Sequence, residues 1–424
     1  MRIAGRGWFV CLAVLAAMGS GYAPASEPIE RLTPEEARRL VAEVVPQVEL
    51  LRGLTFKEPV PVEVVDDQAA REYILSRIRQ FEQEGQFENV QRVYELLGLV
   101  PEGSEILELL LDAMEEQAGG YYDPARRAYY LLDDVPASAA PIFTAHELTH
   151  ALEDQHFDLD RRLHEALSND DRLLARSAIH EGSATILMSV YTMGAVLRGD
   201  LDPAALQTLA ETEAGRAAKL RSLPDVLLRQ VLGPYVLGAM FLSGGDFMNI
   251  TQGFPEDSVN RALDEGPTST EQLLHPEKYW NSELRDDPNE LEPSTAGKVL
   301  GKRWRLQGDG VLGELTLAAL VGAETPLQPG AGGFPDVRAW TNAAAEGWGG
   351  DRWELWESGE KSVVLLLTSW DSPDDATEFA GALPQRENLK WQQADDRVAV
   401  VAGDAGRKTR RLLDRMLAPT GSAR

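Results

Sequence analysis

The chain has 424 residues, 43% of them hydrophobic and 26% charged, a length that favours one large domain with a smaller partner over a single core. Its formal charge of −27 excludes a general nucleic-acid binder and a protein that adheres to anionic membranes, because such a surface repels polyanions. A solubilising surface accounts for this charge, with a preference for basic substrates as the sharper alternative.

Residues 1–25 have the layout of a signal peptide. Arg2 and Arg6 precede an apolar run of 11 residues from Trp8 to Met18, and Ala23-Pro24-Ala25 offers a cleavage site after Ala25. A membrane-spanning helix needs ~20 apolar residues, so the run is too short for an anchor, and no internal stretch reads as long enough either. Cleavage takes Arg2 and Arg6 and no acid, which moves the charge from −27 to −29. Cys11, the only cysteine, falls inside this segment and follows Trp8-Phe9-Val10, a poor lipoprotein site. The exported chain, periplasmic or extracellular, is therefore expected to hold any metal through histidine and carboxylate ligands alone.

Thr33-Pro34-Glu35-Glu36 reads as an N-cap, a first-turn proline and acids, opening a helix from Thr33 to Leu51 that Pro46 kinks or ends. A short strand follows at Pro59 to Val65. Helices are expected at Asp67 to Glu84, Glu88 to Leu97 and Ser104 to Gln117. Gly119-Gly120-Tyr121-Tyr122-Asp123-Pro124 and the β-rich run Arg127 to Leu132 make a hairpin. After a break at Pro136 to Ala140 comes a helix containing His146-Glu147-Leu148-Thr149-His150. Further helices are expected at Asp170 to Leu197, Pro203 to Leu220, Pro224 to Phe241 and Val311 to Val321, with a loop and short helix at Gly266 to Trp280 and turns from Asp286.

The Gly- and Pro-rich stretch Thr325 to Pro335 is the best internal boundary, giving domains at 26–325 and 326–424. The second domain reads as strand Arg352 to Glu357, strand Ser362 to Trp370, helix Pro373 to Leu383, strand Arg397 to Ala402 and helix Gly406 to Leu417. It carries no catalytic signature. Trp348, Trp353, Trp356, Trp370 and Trp391 read as core or interdomain aromatics, with a carbohydrate or peptide surface as the alternative. The fold class is α+β, mainly helical, with a small sheet beside the helix that carries the two histidines.

Residues four apart project from one face of a helix, so His146 and His150 can reach one zinc ion. Glu147 then points at a zinc-activated water, whose pKa falls to ~7, and serves as general base. A third ligand is needed, and the downstream groups are His156, His164, His180, Glu181 and His275. His156 sits too near the end of the same helix, and His164 lies in a polar segment. Glu181 lies in Ala178-Ile179-His180-Glu181-Gly182-Ser183-Ala184, whose small residues permit close helix approach, and His180 competes with it. Adjacent helical residues point ~100° apart, so only one of the two faces the metal. Asp154, four residues after His150, could orient a ligand imidazole.

With these motifs the sequence resembles the gluzincin branch of the zincin-like metallopeptidases, in which two histidines of H-E-x-x-H and a glutamate from a later helix bind zinc. It is also similar to a bacterial group of exported zincin-like proteins with an H-E-L-T-H-A-L-x-D-Q segment, matched by His146 to Gln155. Further matches are Gly120 to Pro124, Glu181 to Ala184 and Ser269 to Tyr279, within a span of about residues 30 to 320. The resemblance implies a zincin-like domain and His146, His150 and Glu181 as ligands. It also implies a strand edge before the active helix where an extended peptide pairs. An oxyanion donor from a later segment is implied too, for which His275 and Tyr279 are the candidates. The sequence departs from the thermolysin-like pattern in that 30 residues separate His150 from Glu181.

The expected function is hydrolysis of a peptide or protein substrate, with zinc as cofactor. The alternative is a catalytically silent, zinc-stabilised binding or assembly protein, against which the intact Glu147 argues.

Overall fold

The computed structural model describes residues 31–81, 85–117, 119–201, 220, 222–293, 295–322 and 339–418. Helix α1 (Pro34–Arg52) begins as its sequence dictates: Thr33 and Glu36 form a reciprocal capping box, and Gly53 closes the helix in the left-handed conformation. Pro46 does not end it. Ala37, Val41, Val44 and Val48 bury one continuous face, and that burial outweighs the local cost of a proline, ~3 kcal/mol.

Strand β1 (Val62–Val65) lies parallel to β3 (Ala128–Leu132), which pairs antiparallel with β2 (Gly120–Asp123) in the expected hairpin, with Tyr121 opposite Tyr130. The order β1-β3-β2 leaves β2 at the edge. Between β1 and β2 the chain makes α2 (Asp67–Phe81), α3 (Gln86–Leu97) and α4 (Ile106–Gln117). Behind the sheet lie α5 (Ala140–Phe157), α6 (Leu159–His164), α7 (Asp170–Arg198) and α8 (Asp225–Leu242). Next come α9 (Glu256–Glu265), α10 (Thr270–Leu274) and α11 (Glu277–Trp280). Residues 203–219 of the helix expected there lie outside the described residues.

The expectation that no internal stretch is long and apolar enough to cross a membrane is corrected by α8. Its 18 residues reach a mean hydropathy of 1.3, yet 78% of them are buried inside the fold. It is apolar all round because it packs all round.

The second sheet has the order β4-β5-β6-β8-β7 and is antiparallel throughout. It comprises β4 (Arg305–Gly310), β5 (Trp348–Ser358), β6 (Lys361–Trp370), β7 (Leu389–Ala394) and β8 (Arg397–Gly403). Its helices are α12 (Gly297–Leu300), α13 (Gly313–Val321), α14 (Pro373–Ala382) and α15 (Thr409–Met416). One face packs on α3, α13 and α14 through Val93, Leu317, Phe379, Leu366 and Trp370. The other packs on α12 and α15 through Leu300, Leu365, Val401 and Leu412.

The sequence reading lacks β4 and β7, which are the two edges. Both are polar and largely exposed, so they show no alternation of apolar residues. Trp391, on β7, is 39% exposed and is not a core aromatic, whereas Trp348, Trp353 and Trp370 are buried. The Gly- and Pro-rich stretch at 325–335 lies outside the described residues, and β4, which precedes it, pairs with β5, which follows it.

Candidate metal centre

Helix α5 is buried from Ile142 to Glu153, so the whole segment His146-Glu147-Leu148-Thr149-His150 sits inside the protein. The four-residue spacing turns both imidazoles toward α7, their ring centroids 4.8 Å apart and edge-on. Helix α7 starts on an Asn169 cap that accepts from the Arg172 amide, and carries Glu181 to the same place.

Three atoms converge there. The His146 and His150 Nε2 atoms lie 3.1 Å apart, and Glu181 Oε2 is 3.3 Å from the first and 3.4 Å from the second. Ligand atoms ~2.0–2.1 Å from a tetrahedral zinc lie about 3.3–3.4 Å from one another, so the triangle has the size such an ion requires. Burial pushes the imidazoles down, His146 to about 4 and His150 to about 3, so both are neutral at pH 7 and offer lone pairs. Two neutral nitrogens and one carboxylate oxygen are a donor set that suits zinc and contains no thiolate. His180 is buried beside Glu181 but is not part of the triangle, because its helix position turns it about 100° away.

The approach of α7 and α8 depends on two glycines. A Cβ on Gly182 would lie 2.2 Å from the Gly238 carbonyl carbon, and one on Gly238 would lie 1.7 Å from the Ala178 carbonyl oxygen. That contact brings Tyr235, one turn before Gly238, to the site. Its ring lies beside His146 with centroids 6.2 Å apart, and its hydroxyl bonds Glu181. Burial raises the Glu181 carboxyl, while His146 and Tyr235 oppose the shift. Tyr235 is a site residue that sequence reasoning missed. The only signal was a tyrosine between Gly233 and Gly238 in an apolar helix, and nothing local ties that helix to α7.

The other residues singled out in the sequence are engaged elsewhere. His275 Nε2 lies 3.0 Å from Glu314 Oε1, at the junction with α13. Tyr279 is fully buried against Phe241 and Trp280, with the guanidinium groups of Arg261 and Arg285 over its ring. Asp154 does not orient an imidazole. It accepts from the Tyr122 hydroxyl at 3.0 Å and from the Leu159 amide at 3.1 Å, and so fastens the edge strand β2 to α5. His156 bonds the Thr55 carbonyl. Tyr121 on β2 is stacked between Tyr130 and Tyr73, the latter from α2 with centroids 4.0 Å apart.

A second group of acids, Glu271, Asp286 and Asp371, also has carboxylate oxygens within 4.8 Å of one another. Lys278 Nζ lies among them, donating to Glu271 at 2.6 Å and to Asp286 and Asp371 at 2.9 Å each. Burial alone would lower the ammonium's pKa, but the three carboxylates raise it.

Residues 303–415, from just before β4 into α15, match the model of a domain of unknown function (DUF8575). No curated protein matches the chain. Among solved structures it is similar to one described as "a putative hydrolase with a novel fold" from Chloroflexus aurantiacus. The two are 22% identical over 60% of this chain and 90% of that one, with a TM-score of 0.37.

Proposed function

We propose that this chain is an exported zinc-dependent peptidase of zincin-like type, in which His146, His150 and Glu181 hold the metal and Glu147 is the general base. The observation that carries the proposal is the triangle of donor atoms, with edges of 3.1, 3.3 and 3.4 Å, beside the carboxylate-bearing residue of the same helix. When bound, zinc supplies a Lewis acid that polarises a scissile carbonyl and acidifies a water. The Glu147 carboxylate accepts the proton of the attacking water and passes it to the leaving amine, so the base is regenerated in each cycle. The Tyr235 hydroxyl, turned from Glu181, would hydrogen-bond the carbonyl oxygen as charge builds on it, the role expected of His275 or Tyr279 from the sequence. The edge strand β2, fastened to α5 by Tyr122 and Asp154, is the element along which an extended substrate would add. Tyr73 covers Tyr121, so entry along this edge requires α2 to give way. The signal-like segment at residues 1–25 supports export.

One observation favours a second reading, a silent zinc-stabilised scaffold: His146, Glu147 and His150 are all fully buried. The two separate on one experiment. The peptidase binds about one zinc per chain, cleaves casein or members of a peptide library, and loses cleavage but not zinc in Glu147→Gln. Full zinc with no cleavage of any peptide favours the scaffold, and full activity in Glu147→Gln rejects the peptidase.

A further inference from the structure

One turn beyond His150, on the stripe that carries His146 and His150, lies Glu153, and its carboxylate is fully buried. Oε1 takes two short bonds from two other helices: Arg52 Nε of α1 at 2.6 Å and Ser183 Oγ of α7 at 2.6 Å. Ser183 is two residues beyond Glu181. Arg52, itself fully buried, donates from Nη2 to Asn260 Oδ1 of α9 at 2.7 Å, and its guanidinium lies over the rings of Phe157 and Phe254.

A buried ion pair is a poor source of stability, because desolvation of both charges offsets their attraction and a well-packed apolar pair of similar volume often does as well or better. Its better-attested use is to fix register, since the charges tolerate one alignment only. Here the ion pair holds the Glu153 carboxylate from α1, and the Ser183 hydroxyl on the same oxygen ties α5, which bears two donors of the triangle, to α7, which bears the third. A slide of α7 along α5 by one residue would move Glu181 ~1.5 Å and lengthen edges that now measure 3.3 and 3.4 Å.

We propose that Glu153, with Arg52 and Ser183, is a positioning device that sets the register of α7 on α5 and thereby the affinity of the His146, His150 and Glu181 site for a divalent metal. The inference rests on the metal-site reading above. Glu153 touches none of the three donors and acts through the helix alignment alone.

The test is zinc affinity of the full chain, by competition with a chromophoric chelator, beside the melting temperature of the metal-free protein. In Arg52→Met/Glu153→Leu, which leaves no buried charge unpaired, zinc affinity should fall about 10-fold or more while the metal-free melting temperature holds or rises. Ser183→Ala removes one hydrogen bond and keeps the ion pair, so it folds even if the double variant does not. Its affinity should fall about 5-fold, the equivalent of one net hydrogen bond. A melting temperature that drops while the zinc affinity of both variants stays within about 2-fold of wild type would show a merely structural pair and overturn the proposal. Wild-type protein that binds no zinc would overturn the metal reading itself, a distinct result.

Discussion

Among the described residues, two clusters gather three metal-ligating groups each, and they differ in what sits at their centre. Around Glu271, Asp286 and Asp371 the protein supplies its own cation, the Lys278 ammonium, with all three carboxylates within 2.9 Å of it. Around His146, His150 and Glu181 two neutral imidazoles and a carboxylate point at one another from 3.1 to 3.4 Å. The first cluster joins α10 and α11 to the turn after β6, and its charge is balanced by the chain. The second consists of two imidazole nitrogens and one carboxylate oxygen, the donor set on which the proposed zinc site rests. Proximity of acids alone is therefore a poor guide to a metal site, and the presence or absence of a protein cation among them is a better one.

The largest effect that sharpens this contrast is catalytic. Glu147→Gln should lower kcat by about 10²–10⁴-fold with zinc content unchanged, measured by peptide cleavage beside metal analysis. Tyr235→Phe should lower kcat by roughly 10²-fold and leave KM nearly unchanged, as expected for a donor used in the transition state. Zinc should raise the melting temperature of the wild-type protein and not that of Glu181→Gln. A second zinc per chain, lost on substitution of Asp286 or Asp371, would break the comparison. Lys278→Met should cost roughly 3 kcal/mol in a denaturant titration, because Glu271 is left buried without its cation.

The smallest effect is a pair of opposed pH slopes in the metal-free protein. His146 and His150 titrate at about 4 and about 3 when folded, below the ordinary value of 6.5, so the unfolded chain binds more protons between them. That contribution to stability is present above about pH 6.5 and is lost as pH falls toward 4 and 3. Asp171, buried where Thr270 donates to it, has the opposite sign. Burial raises it to about 7 from an ordinary 3.8, so its contribution is present at low pH and is lost as pH rises through 7. Asp171→Asn should remove the opposing slope, so that the melting temperature rises more steeply between about pH 4 and 7 than in the wild type.

Much of the framework was legible in the sequence because it depends on local periodicity. The cap at Thr33, the hairpin from Gly120 to Leu132 and the long helix at Asp170 each follow from residues within a few positions of one another. Edge strands β4 and β7 were not legible, since an exposed polar strand is specified by its neighbour and not by its own pattern. Asp154 shows the same limit at the site: its spacing from His150 allowed an imidazole partner, and the fold gave it Tyr122.

The sequence by itself determined that His146, Glu147 and His150 lie on one helix with the two histidines on one face, because a repeat of about 3.6 residues per turn brings side chains four apart together. It also placed the one cysteine, Cys11, before residue 25, which leaves histidine and carboxylate groups as the candidate ligands in the rest of the chain. Only the tertiary structure decided that Glu181 and not His180 reaches the imidazoles, that Tyr235 stands beside them, and that Glu153 meets Arg52 and Ser183. Those outcomes depend on the rotation of α7 and on how closely Gly182 and Gly238 let α8 approach it. Such quantities are set by packing between segments tens of residues apart, where no local pattern reaches.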